Sequence, residues 1–413
     1  MTSAAAARCQ RPSLRSRFRA LPARNHAICV VDATGSVLER YEVEHREAGL
    51  RSLVRRLTAA HVDGVAIERP DGPVIDALLE ADLRVVVIAS RHVKALRSRY
   101  GLAGNKDDRA DAYVLADVLR TDGHRLRPLL PDSDATVALR ALVRARKDLV
   151  RTRVRLVQQL SAHLELVFPG AVDLFDDLAS PIAQAFLARF PSAERAAWLS
   201  PKRMAAWSRA QGYCGRRSGK ELHTRLVAAP RGRVGEGADA MAAITLAFVR
   251  AIGEIRQQAD ALAGRIGEQL ALHPDGHIFT SLPRSGSVRA AALLAEIGDC
   301  RERFPTVESL ACLAGAAPST RQSGQHRVVT FRYACDKKLR DALIDFAGDS
   351  RHASPWAADI YRRARAGGKR HPHAVRILAR AWLGVIWRCW QDHTAYDPNR
   401  HRALQRVLLA PAA

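Results

Sequence analysis

No run of 18 apolar residues occurs in this 413-residue chain, and its longest strongly apolar stretches, such as Leu83–Ala89, are strand-sized. A membrane-spanning helix needs about 20 such residues, so none is expected. No apolar segment follows the basic N-terminus (MTSAAAARCQRPSLRSRFRALPAR), which excludes a secretory signal. The seven cysteines (Cys9, Cys29, Cys214, Cys300, Cys312, Cys335, Cys389) are scattered, odd in number and never spaced C-x-x-C. That argues against a disulfide framework and a zinc site, and fits a reducing cytosol. Lysine is scarce, supplying eight of the 65 basic residues, with arginine supplying the rest. Carboxylates are outnumbered, 42 against 65, and none precedes Asp32.

What remains is a globular composition, 47% hydrophobic and 26% charged, with a net charge of +23. The length allows two or three domains, each able to bury a core. GC-rich codon usage explains arginine over lysine but not the excess of cations over anions. A charge this positive favours a polyanionic partner, nucleic acid first, and the planar arginine fork suits phosphate.

From Ala27 to about Arg127 strands alternate with helices. Ala27–Val31 and Val37–Val43 read as strands joined by a turn at Asp32–Gly35. Gly49–His61 has helical spacing, Val62–Ile67 is a strand ending on Glu68, and Gly72–Glu80 reads as a short helix. Leu83–Ala89 is a buried strand, followed by a helix at Arg91–Tyr100, a loop at Gly101–Asn105 and a helix at Asp108–Leu119. This alternation predicts a sheet covered by helices. Thr136–Phe168 has apolar residues at three-, four- and seven-residue intervals, which predicts a long amphipathic helix or coiled coil. Its polar side carries Arg140, Arg144, Arg146, Lys147, Arg151, Arg153 and Arg155. That row is either a solvated face or a phosphate-tracking one. Residues 180–236 read as an irregular helical connector, Asp239–Leu272 as a second long helix, and Phe279–Tyr396 as a C-terminal unit.

Three places carry potential chemistry. Glu68 ends a strand, where α/β sheets place ligand sites, and Asp108 and Asp111 lie three apart on one helix face. Such oxygen ligands suit hard cations, and two ions about 4 Å apart assist phosphodiester chemistry. Equally, Asp107–Asp111 fits an ordinary helix cap. Ser319 and Ser323 lie in a turn-rich loop beside Gln325, His326 and Arg327, where an exposed hydroxyl sits among cations. A Ser-Gly pair alone is only a turn signal. Thr280–Gly286 precedes an apolar helix and fits either a phosphate grip or a packing turn.

In this order the pieces resemble the DEDD-type insertion-sequence transposases (the “IS one-ten” family), to which the Piv DNA invertases are related. Lys106-Asp-Asp108-Arg-Ala-Asp111-Ala112 is similar to the family's K-T-D-x-x-D-A box, and Leu139–Gly170 to its long helical segment. Phe279–Gly298 and Phe304–Arg340 resemble its C-terminal domain, with Ala314–Gly324 matching the A-G-x-x-P-S-x-x-x-S-G core. The resemblance spans about residues 25–395.

It implies an RNase H-like α/β N-terminal domain of Holliday-junction-resolvase type at 25–130 and a long helical or coiled-coil and connector region at 135–272. A mainly α-helical C-terminal transposase domain would follow at 279–396. Glu68, Asp108 and Asp111 would be the second, third and fourth acids holding Mg²⁺, and Ser323, rather than Ser319, the nucleophile forming a covalent link to DNA. Double-stranded DNA, a structured guide RNA encoded by the element and further copies of the chain are the implied partners. A cytoplasmic, nucleoid-associated bacterial location follows.

The departure lies at the first acid. The family places an aspartate in an apolar G-I-D strand a few residues before the equivalent of Asn25; Ser16–Ala23 holds no carboxylate and contains Pro22. Arg8–Arg24, with six arginines and no acid, reads as unrelated sequence joined to a truncated domain. Asp32 follows the next strand in a predicted turn and is not expected to substitute. The expectation is a family member that binds DNA while its catalysis is weakened or absent. The rival readings are a structure-specific nuclease and a non-catalytic DNA- or RNA-binding protein.

Overall fold

The computed structural model describes residues 2–7, 25–100, 107–230, 232 and 237–409. The chain divides into two compact units, Met1–Pro131 and Asp132–Ala413. No helix among the described residues is long and apolar enough to cross a membrane.

In the first unit, β1 (Thr2–Ala7), β2 (Asn25–Asp32), β3 (Val37–Glu44), β4 (Val65–Ile67) and β5 (Val85–Val87) form one sheet. Their order is β3-β2-β1-β4-β5. β2 is antiparallel to β1 and β3, whereas β1, β4 and β5 run parallel. Helices α1 (Glu47–Ala59), α2 (Pro73–Glu80), α3 (Ser90–Leu96) and α4 (Asp108–Asp122) complete the unit.

Side-chain alternation along the strands builds two cores. Ala27, Cys29 and Val31 of β2, with Ala66 and Val86, pack against Ala112, Leu115, Ala116 and Leu119 of α4. Ile28, Val30, Val65, Ile67 and Val85 point the other way, onto Leu50, Leu53 and Leu57 of α1 and Ile75 and Leu78 of α2. Burial on both faces explains why β2 is a near-continuous apolar run.

The strand Thr2–Ala7 differs from the sequence reading, which left residues 1–24 outside the domain. Ala5, Ala6 and Ala7 lie in register with Val65, Ala66 and Ile67 of β4. A TSAAAA segment offers no apolar/polar alternation and little β-propensity, so pairing on both sides decides its conformation rather than its own preference. Residues 8–24, Ser16–Ala23 among them, and the Gly101–Asn105 loop with Lys106 lie outside the described residues.

The second unit opens with α5 (Asp134–Val167). Short helices α6 (Pro169–Val172), α7 (Pro181–Arg189), α8 (Ala193–Ala196), α9 (Pro201–Ala210) and α10 (Gly219–Ala228) follow, the last four N-capped by serine and the first begun by proline. Then come α11 (Ala238–Leu272), α12 (Gly276–Thr280), α13 (Ser287–Ile297) and α14 (Val307–Leu313). A hairpin of β6 (Ser319–Ser323) and β7 (His326–Thr330) precedes α15 (Lys337–Ser350), α16 (Pro355–Ala366), α17 (His371–Gln391) and α18 (Arg402–Leu409).

The two long helices lie antiparallel. Leu139 and Val143 near the start of α5 share a core with Ile266 and Leu270 near the end of α11. Leu160 and Leu164 share another with Val249 and Ile252. The partner of the α5 stripe is therefore this chain's own α11.

The joint below these helices is polar and buried. His273 Nδ1 accepts from the Asp275 N–H at 3.1 Å, so its proton sits on Nε2, 2.8 Å from Thr136 Oγ1. Burial holds the His273 imidazole below its ordinary value, and does the same to His401. With folded-state values depressed, the unfolded chain takes up protons first. Stability is therefore retained above the unfolded histidine value and lost as pH falls through it. The urea midpoint of the second unit should drop between pH 7 and about 5.5, and less so in His273→Gln. An unchanged midpoint would contradict this assignment.

Candidate acidic site and serine hairpin

Glu68 immediately follows β4, and the alternation that turns Ala66 toward α4 turns Glu68 to the same side of the sheet. It is half-buried and accepts from Ser90 Oγ at 3.0 Å. Asp107, not Asp108 or Asp111, caps α4, accepting from the Arg109 N–H at 3.1 Å. The capping explanation therefore does not account for the other two acids. Asp111 is only 1% exposed, and Arg97 grips it with both prongs, Nε to Oδ1 at 2.7 Å and Nη2 to Oδ2 at 2.6 Å. Hydrogen bonding to Asp111 and the charges of Asp111, Glu68 and Asp108 raise the Arg97 value above its ordinary one. Of the three acids, Asp111 is the one that Arg97 contacts directly.

Asp117, six residues further along α4, is also buried, between Arg120 (2.6 Å) and the Tyr100 hydroxyl (2.8 Å). Desolvation, then the bond to Asp117, pushes the Tyr100 phenol well above its usual range. Asp32 is spent locally: its Oδ1 accepts from the Thr34 N–H at 2.8 Å, the Thr34 hydroxyl at 2.6 Å and the Ser36 N–H at 3.0 Å. These bonds lower its value and make it a turn residue, as the sequence reading holds. Neither β1 nor any residue before Asp32 supplies a carboxylate.

Ser323 belongs to the second unit. The segment read as a turn-rich loop is instead an antiparallel hairpin, with Ser319 opposite Thr330, Arg321 opposite Val328 and Ser323 opposite His326. Gly324 takes φ +54° at the first position of the two-residue turn, where the strand twist demands a left-handed conformation. Ser323 and everything after it to Thr330 is exposed. Period-two alternation places Arg321, Ser323, His326 and Val328 on one face, with Gln322 and Arg327 on the other. Ser319 sits at the base, its carbonyl accepting from Thr330 Oγ1 at 3.3 Å.

The arginine row on α5 divides in two. Arg144 forks onto Glu296 (3.0 and 2.7 Å), and Arg140 reaches the Ala295 carbonyl at 2.6 Å and the Asp132 carboxylate. Both therefore clamp the C-terminal turn of α13 rather than face solvent. Lys147 and Arg151 approach Asp341 at 3.4 and 3.6 Å, both about half-exposed. The phosphate-tracking expectation is thereby corrected for Arg140 and Arg144. Sequence reasoning missed Arg97, Ser90 and Glu296; only the bidentate geometry identifies them.

A family model described as “Transposase”, of the DEDD IS110 type, matches residues 22–169. A second, described as “Transposase IS116/IS110/IS902 family”, matches residues 276–362. A Streptomyces coelicolor protein named as the mini-circle transposase for IS117 is 33% identical over 391 residues, 91% of this chain and 94% of the relative. A 42 kDa protein of insertion element IS900 from Mycobacterium paratuberculosis is 28% identical over 91% of this chain and 95% of its own length. A 44.8 kDa protein of IS116 from Streptomyces clavuligerus is 25% identical over 91% and 94%.

The chain belongs to the IS110 family of DEDD transposases.

Both halves of the family pattern are thus present, the acid-bearing unit and the serine-bearing one. The DEDD designation implies a divalent metal. The residues described here do not fit one as they stand: no group of three or more His, Cys, Asp or Glu is gathered to hold a metal among the described residues. Both oxygens of Asp111 are engaged by Arg97, and the strand beside β4 brings no carboxylate.

Proposed function

We propose that this chain is an insertion-sequence transposase that acts on double-stranded DNA through Ser323, and that its acidic centre is incomplete. The observation that carries the reading is the ordered pair of family halves, together with a first strand, Thr2–Ala7, that lacks an acid. The sheet order and strand directions support the RNase H-like assignment of the first unit.

In the proposed step, Ser323 Oγ forms a bond to a DNA phosphorus as the bridging bond to a deoxyribose oxygen breaks. The serine proton passes to a base, for which the neighbouring cross-strand residue is His326, and the displaced sugar oxygen takes up a proton. Arg321, on the same face of the hairpin as Ser323, offsets the developing phosphorane charge. Attack on the serine ester by another strand's hydroxyl reverses the step and reseals DNA without an external energy source. Guidance by an element-encoded RNA and assembly of several copies are part of this reading, since joining two ends requires more than one nucleophile. Mg²⁺ remains the ion the family implies, and no step is assigned to it in this incomplete centre.

The test mixes purified chain with duplexes carrying its element's ends in Mg²⁺ buffer and resolves products with and without denaturant. Complexes that weaken steeply with salt are expected, with a low yield of covalently linked DNA. Cleavage without linkage, abolished by Glu68→Ala and untouched by Ser323→Ala, would instead establish a structure-specific nuclease. Binding with neither cleavage nor linkage would establish a non-catalytic binder.

A further inference from the structure

The Arg97 fork has a consequence for what the acidic centre can hold. A hard cation at Asp111 needs carboxylate oxygens, and both of them are already committed to short, charge-assisted bonds. Asp111 is buried, and the Arg97 side chain is 17% exposed, so water does not compete freely for either. The arginine stands at the junction of α3 and the 3₁₀ turn Arg97–Tyr100, whose last residue is tied to α4 through the Tyr100–Asp117 bond. The backbone on either side of the guanidinium is therefore anchored, by Val93 in the core and by Tyr100 on α4.

We propose that Arg97 is a built-in counterion of the acidic centre and excludes divalent cations from Asp111 in this chain. The inference rests on reading Glu68, Asp108 and Asp111 as that centre. Its physical logic is charge balance. A carboxylate held bidentate by a fixed guanidinium offers an entering cation less negative charge than the same carboxylate alone. An entering dication must first break a bidentate pair and strand a half-dried arginine beside it. A metal-free acidic pocket of this kind is stable on its own, whereas a pocket built to hold ions is stabilised by them.

The experiment is a thermal melt of the full chain with and without millimolar Mn²⁺, with terbium luminescence as a second readout of binding. Wild type should show no Mn²⁺-dependent shift. Arg97→Gln should melt lower without metal, because Asp111 loses its partner, and regain the difference in Mn²⁺, with at least about tenfold tighter ion binding than wild type. If Arg97→Gln does not fold, Arg97→Lys keeps the charge but loses the fork, and should bind Tb³⁺ more tightly than wild type. Equal ion binding by wild type and either variant overturns the proposal. So does an Mn²⁺ response that survives in Arg97→Gln/Asp111→Asn, since the ion then lies elsewhere. A chain that never links to DNA yet shows the Mn²⁺ response in Arg97→Gln retains this inference while overturning the functional reading.

Discussion

Ser323→Ala is expected to eliminate covalently linked DNA, a loss of roughly a thousandfold or more, while complexes detected without denaturant keep their affinity and salt dependence. The size of the effect follows from the chemistry: without the hydroxyl there is no atom to form the bond to phosphorus. The hairpin that presents Ser323 makes few contacts of its own, since the residues from Ser323 to Thr330 are all exposed. Its substitution therefore leaves the folded state alone, and a lost adduct reports chemistry rather than unfolding. Ser319→Ala is the internal control. That residue sits at the hairpin base opposite Thr330, and its loss should change the adduct less than about twofold. If instead Ser319→Ala removed the adduct and Ser323→Ala did not, the residue assignment within the hairpin would be reversed. Denaturing gels of the two variants beside wild type decide it.

Arg144→Ala is expected to destabilise the second unit by about 3–5 kcal/mol, because it leaves the Glu296 carboxylate buried without its fork. Glu296 is 4% exposed on its side chain, against 33% for Arg144, so most of the cost is the stranded acid. Glu296→Gln in the same background should recover part of the loss, since a neutral amide tolerates that site better than an unpaired charge. Urea unfolding of the three proteins measures it. A change below about 1 kcal/mol in Arg144→Ala would mean that the pair behaves as a surface bridge, and Arg144 would return to the phosphate-facing row.

These two residues mark where the sequence was and was not readable. The long helices were legible because α5 and α11 repeat apolar residues over many turns, and β4 and β5 because short apolar runs end at turn signals. Serine spacing and the acid box were legible as an ordered pattern that pointed to a family, and the family is what the comparison bears out. The hairpin was not, because its strands, STRQS and HRVVT, are exposed on both faces and carry no buried stripe to set a period. The strand Thr2–Ala7 was hidden for the opposite reason: alanine commits to no period at all. The division of the arginine row was invisible because Glu296 lies 152 residues from Arg144, and no local rule pairs them. Arg97 escaped notice in the same way, as one more cation in a chain with 65. Only its placement against a buried acid gives it a role.

Strand cleavage at labelled element ends, timed under single-turnover conditions in Mg²⁺, bears most directly on the account. This chain and a relative whose first strand carries an aspartate would be run side by side. The account predicts comparable DNA binding and cleavage slower by roughly a hundredfold or more in this chain, because one acid is missing and Arg97 engages both oxygens of another. Cleavage at the relative's rate would contradict it, showing that three acids and the Arg97 fork suffice.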